Sequence, residues 1–119
     1  MKRFLSIFAA FLLILSSEIP AVSMTLHDFM EDYVRAADKY RKKSGDPSIL
    51  IQMIKVVPNL ALPEQKERWG EIVNQALSDQ KPEASCATCH KEFKKTYKKE
   101  FRKREVEIPE ELSLLLKKI

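Results

Sequence analysis

Apolar residues return every three or four positions along most of this chain and almost nowhere alternate with polar ones. Leu26, Phe29, Met30, Tyr33, Ala36, Ala37 and Tyr40 trace one helical face. Thr25 is placed to cap that helix, Asp28, Glu31 and Asp32 suit the positive end of its dipole, and Arg41, Lys42 and Lys43 precede Ser44-Gly45. The pattern predicts a helix over 25–43. Asp46-Pro47 then opens a second, with Leu50, Met53, Ile54 and Val57 on one face and Ile49, Ile51 and Val56 around the sides. A helix so apolar is expected to be buried over much of its circumference, and Pro58 ends it. Pro63 opens a third helix running to about Asp79, with Trp69, Ile72, Val73, Ala76 and Leu77 inward. Pro82-Glu83 opens a fourth that reaches about Glu105. After Pro109, the spacing of Leu112, Leu115, Leu116 and Ile119 predicts a short amphipathic C-terminal helix that packs back on the others. No alternating run is long enough to argue a sheet. The expected fold is all-α, an antiparallel four-helix bundle of the kind that holds cofactors between its helices, plus the short C-terminal helix.

The start of the chain follows a different rule. Met1-Lys2-Arg3 is basic, an apolar run extends from Phe4 to Leu15, and Ala21-Val22-Ser23 follows a proline. That is the layout of a secretory signal peptide over 1–23, cleaved before Met24. The apolar run falls short of a membrane span, so no stable span is expected after cleavage. Residues 24–119 then form one modest domain. Export implies a periplasmic location in a Gram-negative host.

The chain's two cysteines both lie in Cys86-Ala87-Thr88-Cys89-His90, on the fourth helix. Cys-x-x-Cys-His is the spacing of a c-type haem attachment site, in which two thioether bonds hold the ring and the histidine ligates the iron. At i, i+3 and i+4 the three side chains share one helix face. Phe93, Tyr97 and Phe101 continue it. Two other chemistries use such residues. A structural zinc site needs four ligands, and here only His27, far away in sequence, is left to complete one. A thioredoxin-like dithiol needs strands around the motif, where the pattern is helical. One covalently attached haem c is the expected cofactor, held by Cys86 and Cys89 with His90 as proximal ligand and Phe93 and Tyr97 beside the ring.

With this motif on the last main helix of a four-helix chain, the sequence resembles the class II c-type cytochromes, cytochrome c prime and its low-spin relatives. The resemblance rests on Cys86-Ala87-Thr88-Cys89-His90-Lys91-Glu92-Phe93-Lys94, where an aromatic and then a basic residue follow the motif. Lys94 stands where arginine is usual, the usual first-helix arginine ahead of Met30 is missing, and 106–119 is extra. Met24, Met30 and Met53 all precede His90, which does not fit the class I order. The resemblance implies an exported single-electron carrier, with Met30 as candidate distal ligand. His27, one turn earlier, is the alternative, and Met53 a weaker one. A Met/His iron favours electron transfer by raising the potential. With no sixth ligand the resemblance implies instead a five-coordinate protein binding nitric oxide or carbon monoxide, with Phe29, Tyr33 and Val34 as an apolar cap. It also implies a homodimer through the first two helices. A peroxidase would want polar distal groups, and beyond His27 the sequence offers no such set, so no enzymatic activity is expected.

Charge adds one feature. The chain is only mildly basic, at +4, but Lys91, Lys94, Lys95, Lys98, Lys99, Arg102, Lys103 and Arg104 crowd the helix that carries the motif. On an exported protein such a run excludes nucleic acid and suggests solvated surface, neutralisation of haem propionates, or docking on an acidic redox partner or an anionic membrane surface.

Overall fold

The computed structural model describes residues 20–119 of the chain. The expected leader, up to residue 19, and the Phe101 side chain lie outside the described residues. What is described is mostly helical, about 70% in five helices, with a small two-stranded sheet.

Strand β1, Ala21–Thr25, leads straight into helix α1 over 26–44. Thr25 caps that helix as expected, its Oγ1 accepting the Asp28 N–H at 3.1 Å. Within α1 the winding changes: Leu26–Asp28 is α-helical, Phe29–Val34 is π-helical, and Arg35–Ser44 is α-helical again. In the wide segment the Arg35 N–H reaches back five residues to the Met30 carbonyl. Gly45 ends the helix at φ 80°, left-handed backbone that only glycine adopts without cost, and its N–H bonds the Arg41 carbonyl at 2.8 Å. Asp46 accepts the Ser48 N–H at 2.9 Å and so starts α2, Ser48–Val56, which tightens into a 3-10 turn over Val57–Leu60 around Pro58. Helix α3 is Lys66–Ser78. Helix α4 covers 84–101, α-helical over Ala84–Thr96 and π-helical over Tyr97–Phe101. Strand β2, Glu105–Pro109, and helix α5, Glu110–Leu116, complete the chain.

The sheet corrects the sequence reading. β1 and β2 pair antiparallel, Ala21 opposite Pro109 and Thr25 opposite Glu105. Glu105-Val106-Glu107-Ile108 does alternate, and Val106 and Ile108 are buried while both glutamates are exposed. The run is five residues long and follows almost directly on a helix, so its period of two is easily absorbed into the helical reading. Its partner lies where the leader was expected to end. The Glu110 N–H bonds the Pro20 carbonyl at 3.0 Å, extending the pairing to the first described residue.

The core gathers Leu26, Phe29, Ala37, Leu50, Met53 and Ile108, all fully buried, with Ile54, Val57, Leu60, Trp69, Val73 and Leu112 around them. Ile49, Leu50, Met53 and Ile54 therefore spend the apolar face of α2 inside one chain. The C-terminal helix packs back as expected: Leu112 is buried, and the Tyr33 hydroxyl shares a 2.6 Å hydrogen bond with the Ser113 hydroxyl. No helix among the described residues is long and apolar enough to cross a membrane.

Cleavage before Met24 would fall inside β1 and remove three of its five paired positions. A chain starting at Met24 is therefore expected to melt several degrees below one starting at Pro20, since a loss of about 1 kcal/mol moves the midpoint of a domain this size by roughly 4–8 °C. Equal midpoints in calorimetry would show that the outer rungs contribute nothing.

Candidate functional site

Helix α4 carries the site. Its first turn is fixed by the Ala84 N–H to the Lys81 carbonyl at 2.9 Å and by the buried Ser85 hydroxyl, which donates to the Pro82 carbonyl at 2.7 Å. Thr88 turns its hydroxyl back to the Ala84 carbonyl at 3.2 Å, leaving Cys86, Cys89 and His90 on another face. α4 lies close along α3, held by Arg68 to Glu92, with Nε donating to Oε2 at 3.0 Å and Nη2 pairing with Oε1. The Trp69 and Phe93 rings meet tilted at 5.7 Å between centroids. Its backbone does not approach α1 as closely as it approaches α3.

Relative to α1, helix α4 runs antiparallel. Near its end the Leu26 and His27 N–H groups bond the Arg104 and Arg102 carbonyls at 2.9 and 3.2 Å. Tyr97 senses Asp28 and Glu31: partial burial first, then these two carboxylates, hold its phenol above the ordinary value against Arg102. At the other end Cys86 senses Asp38 and Arg41, and Glu83 comes within 4.0 Å of Arg41. Cys86, Cys89, Phe93 and Tyr97 are all partly buried, whereas His90 is exposed.

Both cysteines are free thiols. Burial pushes the Cys86 thiol up, with Asp38 adding to it against Ser85 and Arg41. Burial pushes Cys89 up to about 11, helped by Cys86 and Glu92 and opposed by Arg68. Dithiol redox catalysis needs the opposite shift, since the attacking species is a thiolate. In protein lacking any attached group, Cys89 alkylation is expected to be slow at neutral pH and to rise toward a midpoint of about 11. A midpoint at or below the ordinary thiol value of 9.0 in a mass-resolved alkylation profile would show that burial does not control it.

The other sequence-predicted ligands are not gathered here. His27 stands beside Arg102, twelve residues beyond His90, a separation of roughly 18 Å at the helical rise. Its Nδ1 lies 3.3 Å from Asp28 Oδ1. Met30 packs partly buried against the core three residues further along α1, still on the order of 12 Å from the level of His90. Met53, Phe29 and Val34 are buried core residues, and Phe29 stacks on Tyr33 at 5.5 Å. No group of three or more His, Cys, Asp or Glu side chains among the described residues is placed to hold a metal ion.

The basic run is also resolved by direction. Lys91, Lys94, Lys95, Lys98, Lys99 and Arg102 are exposed and recur at helical spacing on the face of α4 opposite Cys89, Phe93 and Tyr97. Sequence reasoning missed Arg68, the residue that fastens α4 to α3. Its partner lies 24 positions away on another helix, and no local pattern announces such a pair.

The donor set suits a c-type haem. Two thiols remain free for thioether formation, on the same helix face as an exposed imidazole that has no hydrogen-bond partner among the described residues. No protein-family model matches the chain, and neither a curated protein nor a solved structure matches it.

Proposed function

We propose that this is an exported, periplasmic monohaem c-type cytochrome that carries single electrons. Cys86 and Cys89 would be the covalent attachment points and His90 the proximal ligand, in a fold of the antiparallel four-helix bundle type. The observation that carries the reading is the placement of the chain's only two thiols, both free, on one face of α4 with His90. When bound, the haem supplies the one-electron chemistry. The chain's own residues do the rest. α4 presents the two sulfurs and the imidazole in register, the Arg68–Glu92 tie and the Trp69–Phe93 contact fix the helix against α3, and Phe93 and Tyr97 continue the apolar face. Partner redox proteins would approach on this side, since the basic run points the other way.

A second reading has a specific observation in its favour. Neither His27 nor Met30 stands level with His90, which fits an iron held by His90 alone and open to nitric oxide or carbon monoxide.

The deciding experiment is the absorption spectrum of purified exported protein, oxidised and reduced, with and without carbon monoxide, while a separate sample taken through acid–organic extraction shows whether the haem is covalently held. A low-spin spectrum indifferent to carbon monoxide, with the haem retained through extraction, is the expected result. A high-spin spectrum that shifts with the gas selects the second reading, and a chain without a haem band rejects both.

A further inference from the structure

Six cations, Lys91, Lys94, Lys95, Lys98, Lys99 and Arg102, form an exposed stripe along one side of α4. Their spacing of three, four, seven, eight and eleven residues keeps them on one face over roughly 16 Å of helix. None of them joins an ion pair among the described residues. Elsewhere Arg35, Arg41, Lys42 and Arg68 each have a carboxylate within 4.0 Å. Of the acids within the stripe's span, Glu92 is already held by Arg68, which leaves Glu100 as the one local opponent.

Two properties identify what such a surface takes. The stripe contains no apolar or aromatic anchor, and lysine is the residue type depleted from protein–protein interface cores, which rest on buried aromatic or aliphatic side chains. A straight row of long, mobile ammonium groups instead matches a plane of anionic headgroups, which needs charge and reach but no fixed complementarity. The stripe also faces away from Cys89, Phe93 and Tyr97, so a redox protein bound there would be held a helix diameter, about 10 Å, from the motif face. A membrane bound there would leave that face open to the aqueous side.

We propose that this face of α4 docks on an anionic lipid surface and holds the molecule with Cys86 and Cys89 turned away from the membrane. The inference stands on exposure and charge, and does not require that the haem reading be right.

The test is flotation of the exported protein with vesicles of phosphatidylcholine alone or with phosphatidylglycerol mixed in. Binding is expected only to the anionic vesicles and is expected to disappear as salt is raised to about 0.5 M. Lys94→Glu/Lys98→Glu should weaken binding at least about thirtyfold, given the contribution of each basic residue near such a surface. Lys39→Glu/Lys66→Glu, which reverses the same amount of charge at exposed sites elsewhere, should change it less than about threefold. Equal binding to neutral vesicles, equal losses in the two variants, or binding that survives in the stripe variant would each overturn the proposal. So would capture by an acidic protein with no vesicle binding. Helix content by circular dichroism checks that both variants fold, and the haem spectrum is read separately.

Discussion

A Cys86→Ser/Cys89→Ser chain is expected to be exported and to fold with its helix content largely intact, yet to lose all covalently held haem. The core that organises α1, α2, α3, β2 and α5 is built from Leu26, Phe29, Leu50, Met53, Trp69, Ile108 and Leu112, none of which the substitutions touch. The cysteines are only partly buried, and neither side chain is committed to a disulfide. Serine is close in size, so the local helix should persist. What disappears is the pair of sulfurs, and with them any absorbance that survives acid–organic extraction. Intact mass gives the same answer independently, since only the wild-type chain would run heavier by one haem. A lower melting temperature should accompany the loss, because a group bound to the native state alone stabilises it. A variant that kept extractable-resistant haem would show that attachment uses some other residue.

The second large effect is on stability. Phe29 is fully buried, lies in the π-helical stretch of α1 and meets Tyr33, whose hydroxyl in turn holds Ser113 of α5 at 2.6 Å. Phe29→Ala should cost about 3–5 kcal/mol from lost burial and the cavity left behind. Small domains have roughly 5–15 kcal/mol in total, so the variant should be close to unfolded at physiological temperature. Urea denaturation followed by far-ultraviolet circular dichroism measures the difference. A loss below about 1 kcal/mol would mean that the site collapses around the gap and that the core lies elsewhere.

Much of this was legible because helices announce themselves locally. The cap at Thr25, the glycine stop at Gly45 and the inward positions Trp69, Ile72, Val73 and Ala76 all follow from residues a few positions apart, whereas the second helix has its N-cap at Pro47, one place after the expected Asp46, whose carboxylate bonds the Ser48 N–H. The motif was legible for the same reason, since Cys86, Cys89 and His90 lie within five residues. What escaped is long-range. The β1–β2 pairing joins segments 80 residues apart, and Arg68–Glu92 joins two helices. The alignment of α1 along α4, which sets His27 and Met30 away from the level of His90, depends on the backbone bonds from Leu26 and His27 to Arg104 and Arg102. No periodicity encodes such a register. The π-helical turns were equally silent, because Phe29–Val34 carries the apolar spacing of an ordinary helix.

The β1–β2 pair also sets an order of events. Bringing Thr25 opposite Glu105 closes a loop of 80 residues, an entropic cost of roughly 4 kcal/mol that is met only when both ends are present. In a chain that crosses a membrane from its N-terminus, Glu105–Pro109 arrives after the Cys86–His90 segment has already emerged. On the proposed export route the motif would thus be delivered on a molecule whose two ends are not yet joined, and the strand pair would shut behind it.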